Sequence, residues 1–181
     1  MDYRQTISYL FPNSIYGTDY TLYFQPGSTM PEINNWNTAK LGTQPTVDVF
    51  QQAWDSVLVQ KERVSQVALI ASASALAQTD GFTSSALGSV YTYPSGLQDQ
   101  ANLNAVATSS TFPIQPSNAT FAFWCTSATG VSDFVQHTAA QIQQVGIDGL
   151  TAIMANKSRQ WELTQQIQAA TTIAAVQAIS W

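Results

Sequence analysis

The sequence predicts an α+β fold: a small N-terminal helix-plus-hairpin module, then two long helices with β-hairpins packed beside them. Two runs of about thirty residues keep helical spacing of their apolar side chains. Short aromatic and β-branched runs bounded by Gly, Pro or Asn read as strands. The chain is also poor in charge. Of its 181 residues only 9% are Asp, Glu, Lys or Arg, against 45% apolar, whereas an average soluble domain is about a quarter charged. Such a chain buries much of itself or carries a surface meant to be covered.

The N-terminal module, residues 1–46, opens with a short helix over residues 4–10 that Pro12-Asn13 stops. Asp19-Tyr20-Thr21-Leu22-Tyr23-Phe24 has the bias of a strand, Gln25-Pro26-Gly27-Ser28 supplies a turn, and residues 32–36 close the hairpin. Gln44-Pro45-Thr46 then punctuates the chain. Thr46 is placed to cap the next helix, with Asp48 in its first turn facing the positive end of the helix dipole.

The C-terminal domain, residues 47–181, begins with a helix to about residue 77. Val47, Phe50, Trp54, Val57, Lys61, Val64, Ala68, Ala71 and Ala75 are spaced alternately three and four apart. This stripe is either the core side of an amphipathic helix or a seam between subunits. Asp80-Gly81 ends the helix, and residues 82–93 form a hairpin with Tyr91 and Tyr93 on one face. A short helix over residues 98–107 and a Pro-containing loop follow. Phe121-Ala122-Phe123-Trp124-Cys125-Thr126 is the clearest strand, turned by Ala128-Thr129-Gly130 onto residues 132–136.

Thr138 caps the second long helix, with Gln141 three residues on completing a capping box. Ile142, Val145, Ile153 and Ile167 make its apolar side, and Gln143, Arg159, Glu162 and Gln165 face water. Gly146 and Gly149 each cost about 1 kcal/mol against alanine inside a helix, so they mark close packing or a kink. Thr171-Thr172 breaks this helix before a last short one over residues 173–179.

Composition excludes more functions than it names. Six Lys plus Arg against eleven Asp plus Glu leave a net charge of −5, which opposes a footprint on DNA or RNA. Lys61 with Arg63, and Lys157 with Arg159, have Glu62 and Glu162 nearby and read as solvated helix faces. No window of about 18 apolar residues is present, so no membrane span is expected. The first residues do not read as a signal peptide, and the single Cys125 cannot form an internal disulfide; both place synthesis in the cytoplasm. One His, one Cys and dispersed carboxylates offer no metal-ligand spacing, no glycine pattern cradles phosphate, and no cofactor is expected.

Cys125 and His137, with Asp133 as third member, are the one set that could be nominated as nucleophile, base and orienting acid. The reading favoured is structural: a small buried hydrophobe in an aromatic strand, and a histidine just ahead of a helix cap. Trp36, Trp54, Trp124, Trp161 and Trp181 could stack on sugars. Core and interface anchoring is favoured over that.

Two stretches carry a resemblance. The opening, with Tyr9-Leu10-Phe11-Pro12-Asn13-Ser14, Tyr16-Gly17-Thr18-Asp19-Tyr20, residues 33–36 and Gln44-Pro45-Thr46, resembles the small XkdW-type tail proteins of phages and prophages. The remainder, with Gly81-Phe82-Thr83-Ser84, Leu87-Gly88, Tyr91, Asp99-Gln100-Ala101-Asn102-Leu103, Phe123-Trp124 and His137-Thr138-Ala139-Ala140-Gln141, is similar to a domain family of uncharacterised function. That family is found in tail-fibre gene clusters and is often labelled tail-fibre assembly protein. The resemblance implies no catalytic residues. It places His137 in a His-Thr pattern, read as a cap element of the long helix, and the Asp99-Gln100-Asn102 group as side-chain bonds fixing the turn from the hairpin into the short helix over residues 98–107.

The expectation is therefore a non-enzymatic bacteriophage tail protein, an accessory of the tail fibre, made in the host cytoplasm and retained in the virion. Its partners are the fibre or other tail proteins, engaged through Trp36, Phe50, Trp54, Val57 and Val64. A homo-oligomer is expected, and a trimer would match the fibre. The alternatives are a transient fibre-assembly chaperone absent from mature particles and a host-glycan-binding module.

Overall fold

The computed structural model describes residues 1–28 and 31–181. In chain order its elements are α1 (Tyr3–Leu10), β1 (Thr21–Tyr23), β2 (Glu32–Asn34), α2 (Thr38–Leu41), α3 (Val47–Ala77), β3 (Phe82–Ser84), β4 (Tyr91–Tyr93), α4 (Leu97–Ser109), β5 (Thr120–Ser127), β6 (Ser132–Thr138), α5 (Ala139–Ala169) and α6 (Ile173–Gln177). The fold is α+β. Two compact units share the chain, Met1–Gln66 with Ala169–Ala178 and Val67–Gln168 with Ile179–Trp181.

In the first unit Asp2 opens α1 by accepting a hydrogen bond from Gln5 N at 3.1 Å. β1 and β2 pair antiparallel with Leu22 opposite Ile33. Around them Tyr3, Ile7, Tyr20 and Phe50 are buried, with Leu10, Phe11, Leu22, Ile33 and Trp36 packed against them. The aromatic edges meet faces: Tyr3 and Phe50 at 5.5 Å, Phe11 and Trp36 at 5.3 Å, Trp36 and Phe50 at 6.4 Å. Phe50 lies on α3, which explains why this unit runs past the expected boundary at residue 46. The N-terminal module cannot close its core without the first turns of that helix.

Asp19 is buried in this unit and fully engaged. Its carboxylate accepts from Lys40 Nζ at 2.6 Å, Asn37 Nδ2 at 3.3 Å and Ile15 N at 2.8 Å. The bond to Lys40 does most to hold its carboxyl below the usual range, against the opposing effect of burial. Arg63 donates from Nε and Nη2 to Ala170 O at 3.0 and 2.7 Å. This corrects its reading as part of a solvated face, because the guanidinium satisfies a carbonyl just past the end of α5. α6 is capped by Thr172, whose hydroxyl accepts from Ala175 N, and buries Val176.

The second unit is a four-stranded antiparallel sheet, ordered β3-β4-β5-β6, with helices on one face. Its core is Phe82, Tyr93, Leu103, Phe123, Cys125, Ile142 and Val145. The two expected hairpins are joined into this one sheet by β4 pairing with β5, Tyr91 opposite Ser127 and Thr92 opposite Thr126. The capping box at the start of α5 is formed: Thr138 N donates to Gln141 Oε1 at 2.8 Å, and Gln141 N donates to Thr138 Oγ1 at 3.3 Å.

Close packing explains Gly149, one of the two glycines of α5. A Cβ at Gly149 would stand 2.9 Å from Phe82 Cζ, and one at Gly146 would stand 3.4 Å from Ala107 Cβ. Gln143, expected to face water, is half-buried and donates to Ser110 Oγ at 3.0 Å. At the end of α3, Gln78 O accepts from Ser95 Oγ at 2.9 Å and from Gln100 Nε2 at 3.2 Å. Gln100 Nε2 also reaches Ser95 O at 2.8 Å, so within the Asp99-Gln100-Asn102 group it is Gln100 that ties the turn.

Candidate docking surface

α5 packs Ile142, Val145, Gly149 and Ile167 inward and carries a second apolar line on its other side. Ile147, Leu150, Met154 and Trp161 are spaced three, four and seven apart, and all four are exposed, Leu150 at 62%. On a helix that spacing keeps them on one stripe. Beside it, between α4 and α5, runs an apolar groove of about 590 Å³, within the range of ordinary ligand and peptide sites. Phe82, Leu103, Ala107 and Gly146 line it, Ile147 and Leu150 form its lip, and Gln100, Asn104, Thr108 and Gln143 supply neutral polar groups. Among the described residues no ionisable side chain lines the groove. An occupant therefore meets apolar surface and amides, with no charge to desolvate.

The residues expected to dock are distributed otherwise. Phe50 and Val57 are buried inside the first unit and have no surface to offer. Trp36 is half-buried and donates its indole N–H to Gly42 O at 2.8 Å. Trp54 is half-buried with the Lys61 ammonium 5.6 Å from its ring centre. Of the five, only Val64 stands free, at 68% exposure. The heptad stripe holds for Phe50, Trp54 and Val57 and then fails: Lys61, Val64, Ala68 and Ala75 are exposed, while Ile70 and Ser74 are buried instead. The apolar pattern is carried by alanines there, and alanine fits either side of a helix.

Cys125, His137 and Asp133 do not assemble into nucleophile, base and acid. In the sheet register Cys125 lies opposite Asp133, but His137 lies four residues further along β6, opposite Phe121. The His137 ring meets Tyr93 instead, with Nε2 2.8 Å from the phenol oxygen and Nδ1 2.8 Å from Val135 O. This corrects its reading as a cap element, since it is a fully buried strand residue. Burial pushes the Cys125 thiol up, away from the thiolate that nucleophilic attack requires. Burial raises the Tyr93 phenol as well, with Cys125 adding to it. Asp133 spends one carboxylate oxygen on its neighbour's amide, Phe134 N at 2.7 Å. The Tyr93–His137 hydrogen bond ties β4 to β6 within the core.

Among the described residues no helix is long and apolar enough to cross a membrane, and no group of three or more His, Cys, Asp or Glu is placed to hold a metal ion. A family described as a domain of unknown function, DUF4376, matches residues 60–180, about two thirds of the chain. The chain belongs to this family. The DUF4376 match takes in the whole sheet, α4, α5 and α6. The α5 stripe, the groove and the Tyr93–His137 pair are thus features of the DUF4376 region, while α1, the β1–β2 hairpin and Phe50 lie ahead of it. No curated protein and no solved structure matches the chain.

Proposed function

We propose that this chain is a non-enzymatic tail protein of a tailed bacteriophage, an accessory of the tail fibre made in the host cytoplasm and retained in the virion. It assembles as a homo-oligomer, with a trimer matching the fibre. The observation that carries this reading is the exposed stripe of Ile147, Leu150, Met154 and Trp161 along the lip of an uncharged groove. Long apolar side chains in register on a helix, left in water by the isolated chain, fit a surface that is covered in an assembly. The tail-protein identity rests on the motifs quoted from the sequence, from Tyr9-Leu10-Phe11-Pro12 to His137-Thr138-Ala139-Ala140-Gln141.

The test is quantitative mass spectrometry on gradient-purified particles from the source genome. The chain is expected at a fixed ratio to the fibre protein, and Leu150→Asp is expected to leave it in the lysate. Finding the wild-type chain only in the lysate, with fibres that misfold when its gene is deleted, would make it a transient assembly chaperone instead.

A further inference from the structure

The sheet of the second unit packs one face against its helices and leaves the other open. Across that open face the register lines up four hydroxyls, one from each strand: Thr83 opposite Thr92, Thr92 opposite Thr126, Thr126 opposite Ser132. Thr126 Oγ1 and Ser132 Oγ lie 2.8 Å apart. Two residues along β5 and β6, Trp124 stands opposite Phe134, their rings edge to face at 5.1 Å and 69°. Trp124 is 41% exposed and Phe134 63%. Ala122 and Gln136, paired beyond them, are exposed too, and none of these eight side chains ionises.

Paired strands lie about 4.8 Å apart, so the row presents a hydroxyl at each such step over about 14 Å. That step is close to the advance of one pyranose ring along an extended glycan. Strand propensity accounts for threonines on an open sheet face. It does not account for a tryptophan and a phenylalanine paired in water beside them. Sugars need both features, because their C–H faces stack on aromatic rings while their hydroxyls exchange hydrogen bonds with neutral donors and acceptors. An apolar protein partner would desolvate the hydroxyl row without bonding it, and a charged ligand would find no counter-charge.

We propose that the open face of this sheet binds a neutral glycan chain, laid across the strands along Thr83, Thr92, Thr126 and Ser132 with a sugar ring on the Trp124–Phe134 pair. This goes beyond attachment to a particle and holds whether or not the chain stays on one.

The full chain would be applied to an array of neutral hexose and N-acetylhexosamine oligosaccharides, with acidic oligosaccharides as controls. Hits would be titrated by amide and indole NMR shifts. Binding to neutral members is expected, with shifts confined to these residues and the Trp124 indole N–H. Phe134→Ala and the shape-conserving Thr92→Val are each expected to weaken it about tenfold. Retention of no neutral glycan, or of acidic ones alone, would overturn the proposal. So would binding that both variants leave unchanged, or loss of a protein partner rather than a sugar in those variants. Because the array uses the isolated chain, its outcome is separate from retention in the virion.

Discussion

The Tyr93 hydroxyl meets His137 Nε2 at 2.8 Å across the intervening strand β5, inside the core of the sheet unit. The direction of that bond follows from the other side of the ring. His137 Nδ1 lies 2.8 Å from Val135 O, and a carbonyl only accepts, so Nδ1 carries the proton and Nε2 accepts from the phenol. Tyr93→Phe keeps the ring packing on Phe82, whose centroid is 5.5 Å away, and strands Nε2 without a donor. A buried acceptor left unpaired costs about 1–3 kcal/mol. Urea unfolding should show that loss with an unchanged m-value, and native Cys125 should resist a thiol reagent until the unit unfolds.

Asp19 sets the acid limit of the first unit. Its folded carboxyl titrates below 3.8, chiefly through the bond to Lys40. The stabilisation is therefore fully present above that value and is lost as pH falls through the lower folded one. Acid titration followed by tyrosine and tryptophan signals from Tyr20 and Trp36 should show the aromatic core loosening below about pH 4. Asp19→Asn should be less stable than wild type at neutral pH and converge with it in acid, because the substitution removes only what acid removes. Lys40→Met should move the wild-type loss to higher pH.

All the helices but α2 were legible in the sequence because their signals are local. The Thr138–Gln141 capping box, the Gly81 stop and the helical spacing all act within a few residues. The sheet order was not legible. Whether Thr92 pairs with Thr126 depends on how α4 folds back between them, and nothing within either strand specifies that partner. Phe50 and Val57, expected to dock, are buried for a related reason. The stripe carrying Phe50 and Val57 read as core or seam, and the packing of Phe50 with Tyr3, Ile7 and Tyr20 decides for core at that end. α5 is apolar on two sides, so its periodicity alone could not say that Val145 faces the sheet and Leu150 faces water. Tyr93 as the partner of His137 left no trace beyond an aromatic strand.

Gly149 and Gly146 separate two reasons for a glycine in a helix. At Gly149 an added methyl would meet three atoms of the Phe82 ring at 2.9 to 3.3 Å, and that ring is stacked on Tyr93 and cannot swing away. Overpacking of about 1–3 kcal/mol outweighs the roughly 1 kcal/mol of helix propensity that alanine brings. Gly149→Ala should lower the melting temperature. At Gly146 the nearest atom is the Ala107 methyl at 3.4 Å, so Gly146→Ala should be neutral or stabilising by up to about 1 kcal/mol. Thermal unfolding of the two variants side by side decides the matter.

Val57 and Leu150 are both aliphatic residues on long helices, and the same substitution should do opposite things to them. Val57 is buried, so Val57→Asp places an unpaired carboxylate in the first unit and should cost about 3–5 kcal/mol, with unfolding or insolubility as the outcome. Leu150 projects into water from the lip of the groove, so Leu150→Asp should change monomer stability by no more than about 0.5 kcal/mol. Its effect should appear only where the stripe is covered. Size-exclusion chromatography with light scattering, run beside thermal unfolding, reads both quantities on each variant. A folded Val57→Asp that merely dissociates would return the seam to α3. A Leu150→Asp that keeps its assembly and its partner would remove the α5 stripe from any interface.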